Sequence, residues 1–208
     1  MLETGGVMEL IIARHALPVR IENAEGPADP QLSDRGLAQA EKLAEYLAEE
    51  RIDAIWVSPM RRARETAAPL AARLGLTPLV DDRLAEWDRD SSTYIPVEEL
   101  KATNDPIWQA MAKGEWHGSM DPEVFKTGVT EAFERIIAAH SGQRVAVVCH
   151  GGVVGAYLGS VIGLQGPTMG FFHPEYTSIH RVMAAKSGER SMRCINEIAH
   201  LRGTGLLG

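Results

Sequence analysis

The chain has 208 residues, 45% of them hydrophobic and 24% charged, proportions ordinary for a soluble globular protein, and at this length a single domain over 1–208 is expected. A formal charge of −7 argues against a general nucleic-acid binder, which displays a basic face, and the longest apolar runs, Leu10 to Ala13 and Val145 to Cys149, fall far short of the roughly 20 residues that span a membrane. Cys149 and Cys194 supply neither a disulfide framework nor a zinc-ligand spacing, and no basic-then-apolar leader opens the chain, so a cytoplasmic location is expected, with no nucleic acid or membrane as partner.

Residues 1–7 precede the first recognisable element and read as an extension, or as the result of a start at Met1 instead of Met8. Met8 to Ala13 (MELIIA) is a short apolar run, a buried strand that ends at Arg14-His15. Ser33 suits a helix N-cap, after which Leu37, Ala40, Leu43, Ala44 and Leu47 recur on one face with Glu41, Glu45 and Glu49 opposite. Ala54 to Val57 is a second strand. Ser58-Pro59 reads as a capping hydroxyl followed by proline at the first helical position, opening a helix towards Gly75 with a bend at Pro69. Thr77 to Val80 is a third strand, and DDRLAEWD enters a loop.

Residues 88–126 mix Pro96, Asn104-Asp105-Pro106, Gly114, Gly118 and Pro122 with Trp108 and Trp116, and read as an insertion carrying short helices. Glu131 to His140 reads as an amphipathic helix, Arg144 to Cys149 as a fourth strand, and His150-Gly151-Gly152 as a turn into a helix through Ile162. Ser178 to Ala184 and Met192 to Ile195 flank a Lys186-Ser187-Gly188 turn and predict a closing hairpin. The alternation predicts a three-layer α/β sandwich with a mostly parallel central sheet and one antiparallel edge strand.

Two strands deliver a histidine at their carboxyl ends, in IIARHALP and in VVCHGG, the edge of an open α/β sheet where ligands bind. SPMRRARET adds arginines on the first turns of a helix behind another strand. Singly these are bland: an Arg-His dipeptide is common, His-Gly-Gly is a turn, and Ser-Pro opens many helices. Jointly they put Arg14, His15, Arg62 and His150 around one crevice. Arginine forks match phosphate geometry, and a histidine between them loses proton affinity, keeping a ring nitrogen free to attack phosphorus. This suits phosphoryl transfer, where catalysis is mostly positioning and charge neutralisation.

In order along nearly the whole chain, ARHALP, LSDRG, SPMRRARETA, RLAEWD and VCHGG resemble the histidine phosphatases, a superfamily that includes cofactor-dependent phosphoglycerate mutases. The resemblance implies a phosphoglycerate mutase-like fold, His15 as the nucleophile that becomes phosphohistidine, Arg14 and Arg62 as phosphate clamps, His150 as the second histidine with Gly151 beside it on the phosphate, and Glu86 as the acid that protonates the leaving group. It implies no metal and no cofactor, a small phosphorylated substrate, and room for a homodimer. Asp88 rivals Glu86 in the same loop. Ala16 stands where glycine is frequent, and Leu17-Pro18 replaces a polar stretch. No counterpart of the mutases' arginine-rich segment is found, which favours a phosphatase over a mutase-type isomerase.

A magnesium-dependent aspartyl phosphatase built on the Asp-x-Asp of WDRDSS and a non-catalytic phosphate- or protein-binding module are the other readings. Arg61, Arg64, His117, His140, His173, His180 and His200 carry no motif support and are expected at the surface or as satisfied core residues. Trp87, Trp108 and Trp116 stay open between the substrate mouth and core anchors, and the 88–126 insertion is expected to choose the substrate.

Overall fold

A computed structural model describes residues 6–113, 115, 120–166 and 171–207. Strands β1 (Met8–Arg14), β2 (Ala54–Val57), β3 (Leu79–Val80), β4 (Arg144–Cys149), β5 (Ile179–Ala184) and β6 (Arg190–Glu197) form a six-stranded sheet in the order β3-β2-β4-β1-β5-β6. β1 to β4 are mutually parallel, β5 pairs antiparallel with β1, and β6 pairs antiparallel with β5, so the expected hairpin closes that side. The helices are α1 (Asp34–Ala48), α2 (Arg61–Leu74), α3 (Val97–Ala102), α4 (Pro106–Ala112), α5 (Pro122–Ala139) and α6 (Gly151–Val161). Among the described residues, no helix is long and apolar enough to cross a membrane.

Residues 10–13 of β1 and 145–149 of β4 are unbroken apolar runs because helices cover both faces of the sheet. Side chains alternate along a strand, so Ile11 and Ala13 of β1 join Leu43, Leu47, Ala63 and Leu70 of α1 and α2. Leu10 and Ile12 join Phe133, Ile136, Val153 and Tyr157 of α5 and α6 on the other side. Each aliphatic side chain fully withdrawn from water here contributes about 2 kcal/mol, and one strand feeds both cores.

Several boundaries differ from the sequence reading. α2 starts at Arg61, with Met60 as the cap residue; the Arg61 N–H donates to the Asp29 carboxylate at 2.9 Å, and Ser58 Oγ accepts the Met60 N–H at 3.3 Å. The helix runs on through Pro69 and stops at Gly75, whose φ of 65° is the left-handed conformation that glycine adopts without strain. α5 begins at Pro122, inside the stretch read as irregular, so the expected Glu131–His140 helix is only its second half. Asp121 caps α5 by accepting from the Glu123 and Val124 N–H groups, and Pro122 sits in the first turn, where a missing N–H costs nothing.

In α1, Leu37 is 49% exposed, and the inward place falls to Gly36. A Cβ at Gly36 would lie 2.0 Å from the Leu17 carbonyl oxygen, which also accepts from Ser33 N–H and Ser33 Oγ–H. α1 is thereby clamped against the loop that follows His15.

Candidate active site

Arg14 pairs with Cys149 across β1 and β4, and the His15 N–H donates to the Cys149 carbonyl at 2.8 Å. From these adjacent strands the chain departs to opposite faces, towards α1 from β1 and into α6 from β4, which opens a crevice at their carboxyl ends. The His15 and His150 rings stand there with centroids 5.1 Å apart and planes tilted by 57°. The Ser58 N–H donates to the Val148 carbonyl, which sets the end of β2 and the start of α2 at the same edge, with Arg62 wholly buried.

Glu86 follows a 3₁₀ turn, Asp82–Leu84, and its Oε2 accepts from the Gly152 N–H at 2.7 Å while Oε1 accepts from the Trp87 N–H at 3.1 Å. A Cβ at residue 152 would come within 2.3 Å of Oε1, so the close seat of Glu86 requires glycine. The structure thus brings together Arg14, His15, Arg62, Glu86 and His150. Arg14, His15, Arg62 and Glu86 line a cavity of about 390 Å³ together with Gly151, and His150 is fully buried beside His15.

His15 Nδ1 is 2.8 Å from the Ala16 carbonyl oxygen, so that nitrogen carries the proton and Nε2 keeps its lone pair. Burial holds His15 well below the usual histidine pKa, and the charges of Arg62 and Arg14 push the same way. His150 is lowered well below the usual value by burial, then by Arg62, His15 and Arg14. Glu86 moves in the opposite direction, to about 7, because burial and the Asp88 charge outweigh the Gly152 and Trp87 N–H bonds. The site therefore offers neutral imidazole beside a carboxyl group that still holds its proton near neutrality.

The arginines are fixed from behind. Arg62 Nη2 donates to Asp88 Oδ1 at 2.9 Å, and its guanidinium stands 4.7 Å from the Tyr94 ring centroid. Arg14 Nη1 donates to the Pro174 carbonyl at 2.7 Å, with the guanidinium 3.9 Å from the centre of the Tyr176 ring. Asp88, the rival to Glu86, is thus committed to Arg62. Arg14 Nε, Arg62 Nε and Nη1, and His150 Nδ1 are buried with no partner among the described residues. Unpaired buried donors cost about 1–3 kcal/mol each, so such a group is arranged for an acceptor with several oxygens.

Two residues here escaped the sequence reading. Ser58 Oγ, read as a helix cap, lies 2.7 Å from His150 Nε2. When that hydroxyl donates, the ring proton sits on Nδ1, the nitrogen without a partner among the described residues. Thr66 Oγ1 accepts the Ala16 N–H at 2.9 Å and donates to the Arg62 carbonyl at 2.7 Å, tying the loop after His15 to α2. Both lie within SPMRRARET, so their signal was present and was read locally. Tyr94 and Tyr176 come from distant loops and gave no signal.

Arg61 and Arg64 are exposed, as expected. His140, His180 and His200 bond to Trp56, Ser178 and Thr177 respectively, whereas His173, Trp87 and Trp108 line the cavity. Trp116 and His117 lie outside the described residues. Cys149 is buried and Cys194 half-buried. Among the described residues no group of His, Cys, Asp or Glu could hold a metal ion.

An uncharged histidine with a free Nε2, buried arginines and a protonated carboxyl group form the equipment of a phosphoryl-transfer enzyme. Residues 10–197 match the family model of the histidine phosphatase superfamily (branch 1), and the chain belongs to that superfamily. It is similar to phosphoserine phosphatase 1 of Hydrogenobacter thermophilus, 30% identical over 150 residues that cover 69% of this chain and 71% of that one. It is also similar to glucosyl-3-phosphoglycerate phosphatase of Mycolicibacterium vanbaalenii, 31% identical over 150 residues, 67% of each chain. The native structure of a mycobacterial glucosyl-3-phosphoglycerate phosphatase shares the fold, with a TM-score of 0.74 at 21% identity over 92% of this chain and 100% of that one.

Proposed function

We propose that this chain hydrolyses small phosphomonoesters through a phosphohistidine on His15, with 1–208 acting as one domain. The observation that carries this reading is the set of buried donors on Arg14, Arg62 and His150 that have no partner among the described residues, around a neutral His15 whose Nε2 is unprotonated. The superfamily match and the phosphatases among its relatives support the reaction class.

A phosphoryl group seats against Arg14, Arg62, His150 and the Gly151 backbone at the start of α6, where the helix dipole favours an anion. His15 Nε2 attacks phosphorus as the bond from phosphorus to the ester oxygen breaks, and Glu86 gives its proton to that oxygen. The Glu86 carboxylate then takes a proton from a water that attacks the phosphohistidine, releasing phosphate and restoring both residues. The arginines and His150 neutralise the equatorial oxygens as charge redistributes.

A mutase would need a second anion site near the first. Among the described residues lining the cavity, the arginines are Arg14 and Arg62 alone, which favours hydrolysis. The decisive experiment combines phosphate release from a metabolite panel with trapping of a labelled intermediate. Hydrolysis without bisphosphate priming, with an acid-labile and alkali-stable label on His15, is the expected result. An acyl-phosphate label would assign the nucleophile to an aspartate, and phosphate binding without turnover would make the chain a binding module.

A further inference from the structure

We infer that the alcohol released by this enzyme is an apolar, ring-bearing group rather than a small carboxylate such as serine or glycerate, an inference that rests on the phosphomonoesterase reading of the site.

Glu86 must reach the bridging oxygen, so the leaving group departs on the Glu86 side of the phosphoryl group, where Trp87 follows in the chain. The cavity continues from there between Val97 of α3, Ile107, Trp108 and Met111 of α4, and Phe172. Indole and phenyl rings thus come from three separate segments of chain. Ile107, 44% exposed, adds an apolar side chain to the cavity wall.

Charge argues the same way. A phosphorylated carboxylic acid is held best by a further arginine fork close to the phosphate. Among the described lining residues the cations beyond Arg14 and Arg62 are Lys101 and Lys126. The Lys126 ammonium donates to the Leu164 carbonyl at 2.8 Å, and the Lys101 ammonium stands 4.9 Å from the centre of the Trp108 ring. A carboxylate placed between these walls would lose hydration without gaining an arginine fork. At about 390 Å³ the cavity accommodates the phosphoryl group and a ring system of one or two fused rings, towards the small end of ligand sites.

Leaving-group reactivity has to be held constant, so the test compares primary alkyl phosphates: 2-(1-naphthyl)ethyl phosphate, ethyl phosphate, O-phospho-L-serine and 3-phosphoglycerate. The naphthyl ester should exceed each of the others by about 100-fold in kcat/KM, the effect of burying a bicyclic ring. Trp108→Ala should lower the ratio of naphthyl to ethyl ester by about tenfold. Met111→Glu, which sets a charge in the same wall without removing the indole, should lower it further, and serves if the first variant disturbs α4. Phosphoserine or 3-phosphoglycerate matching the naphthyl ester would overturn the inference and leave the hydrolytic reading standing. A ratio unmoved by both variants would also overturn it. Release of phosphate from none of the four esters, with no label on His15 in a folded protein, would remove the hydrolytic reading and this inference with it.

Discussion

The phosphoryl cradle and the roof above it are built on different physical principles. In the cradle, Ser58, Arg62, Thr66 and His150 are fully buried, and each is held by a directional bond: Arg62 to Asp88, Thr66 to the Arg62 carbonyl, and Ser58 to His150. In the roof, α3 and α4 are short helices, with Asp105 and Pro106 opening α4, and their cavity-facing side chains are mainly apolar. The regions meet at Tyr94, which pairs through its backbone with Ile21 and presents its ring to Arg62. Buried polar pairs tolerate one geometry, whereas apolar contacts tolerate many. Cradle substitutions should therefore change the rate for every substrate, and roof substitutions should change the ranking of substrates.

The hardest break in that comparison is His15→Ala. Without a nucleophile no neighbouring group supplies the covalent step, so phosphate release should fall by about 10,000-fold or more for all esters while the circular dichroism spectrum stays native. Retention of a tenth of the activity would exclude His15 as nucleophile. Glu86→Gln comes next, with a loss of about 100- to 10,000-fold on alkyl phosphates and a smaller loss in the first step with p-nitrophenyl phosphate, whose leaving group needs little protonation. A nitrophenol burst over accumulated phosphohistidine would accompany it. If Asp88→Asn shows that selectivity instead, the two carboxylates exchange roles.

The same residue sets a pH signature. Glu86 must be protonated to act as an acid, so kcat/KM for alkyl esters should fall as pH rises through about 7, and this limb should vanish in Glu86→Gln. His15 is held neutral to well below the usual histidine range, so the acid limb should lie below that range. Stability follows the same group. Its folded pKa lies above the ordinary 4.5, so its contribution is fully present below pH 4.5 and is lost as pH rises through about 7. Above that pH, Glu86→Gln should gain about 3 kcal/mol over the parent relative to their difference in acid, measured by denaturant unfolding at each pH.

Arg62→Ala should cost about 100-fold in kcat, more than in KM, and Arg62→Lys should recover little because the fork shared between Asp88 and phosphate is lost. Ser58→Ala should have the smallest effect, about tenfold in kcat for alkyl and aryl esters alike, by freeing the His150 tautomer. A Ser58 effect confined to one class of ester would move that residue from the cradle to the roof.

The cradle was largely legible in the sequence because its signals are local. β1 and β4 are buried on both faces, which gives them the apolar runs 10–13 and 145–149, and each strand leads into a histidine at the carboxyl edge of the sheet. What stayed hidden depends on partners distant in the chain. Ser58-Pro59 carries the local code of a helix cap, but the Ser58 hydroxyl also meets His150, and the Asp29 carboxylate from a distant loop takes the first helical N–H, so α2 starts at Arg61. Pro122 looked like a breaker within an irregular stretch, although at the first turn of a helix proline is an initiator. Leu37 fits the apolar period of α1, yet the carbonyl of Leu17 reserves the inward place for Gly36. Tyr94 and Tyr176 back the arginines from loops whose path no periodicity encodes.

Gly152 gives the molecule an evolutionary hinge. Replacing it with alanine would put a methyl group where the Glu86 carboxylate and the edge of the Trp87 ring now stand. The carboxylate is the free end of a side chain and would swing aside, and the Trp87 ring, 2.9 Å from the added methyl, would shift with it, leaving the Arg14, Arg62 and His150 donors in place. Such a descendant would grip phosphate and release almost no alcohol. From glycine to alanine is one base change in the codon, so this scaffold stands a single mutation from becoming a receptor for the esters it now destroys.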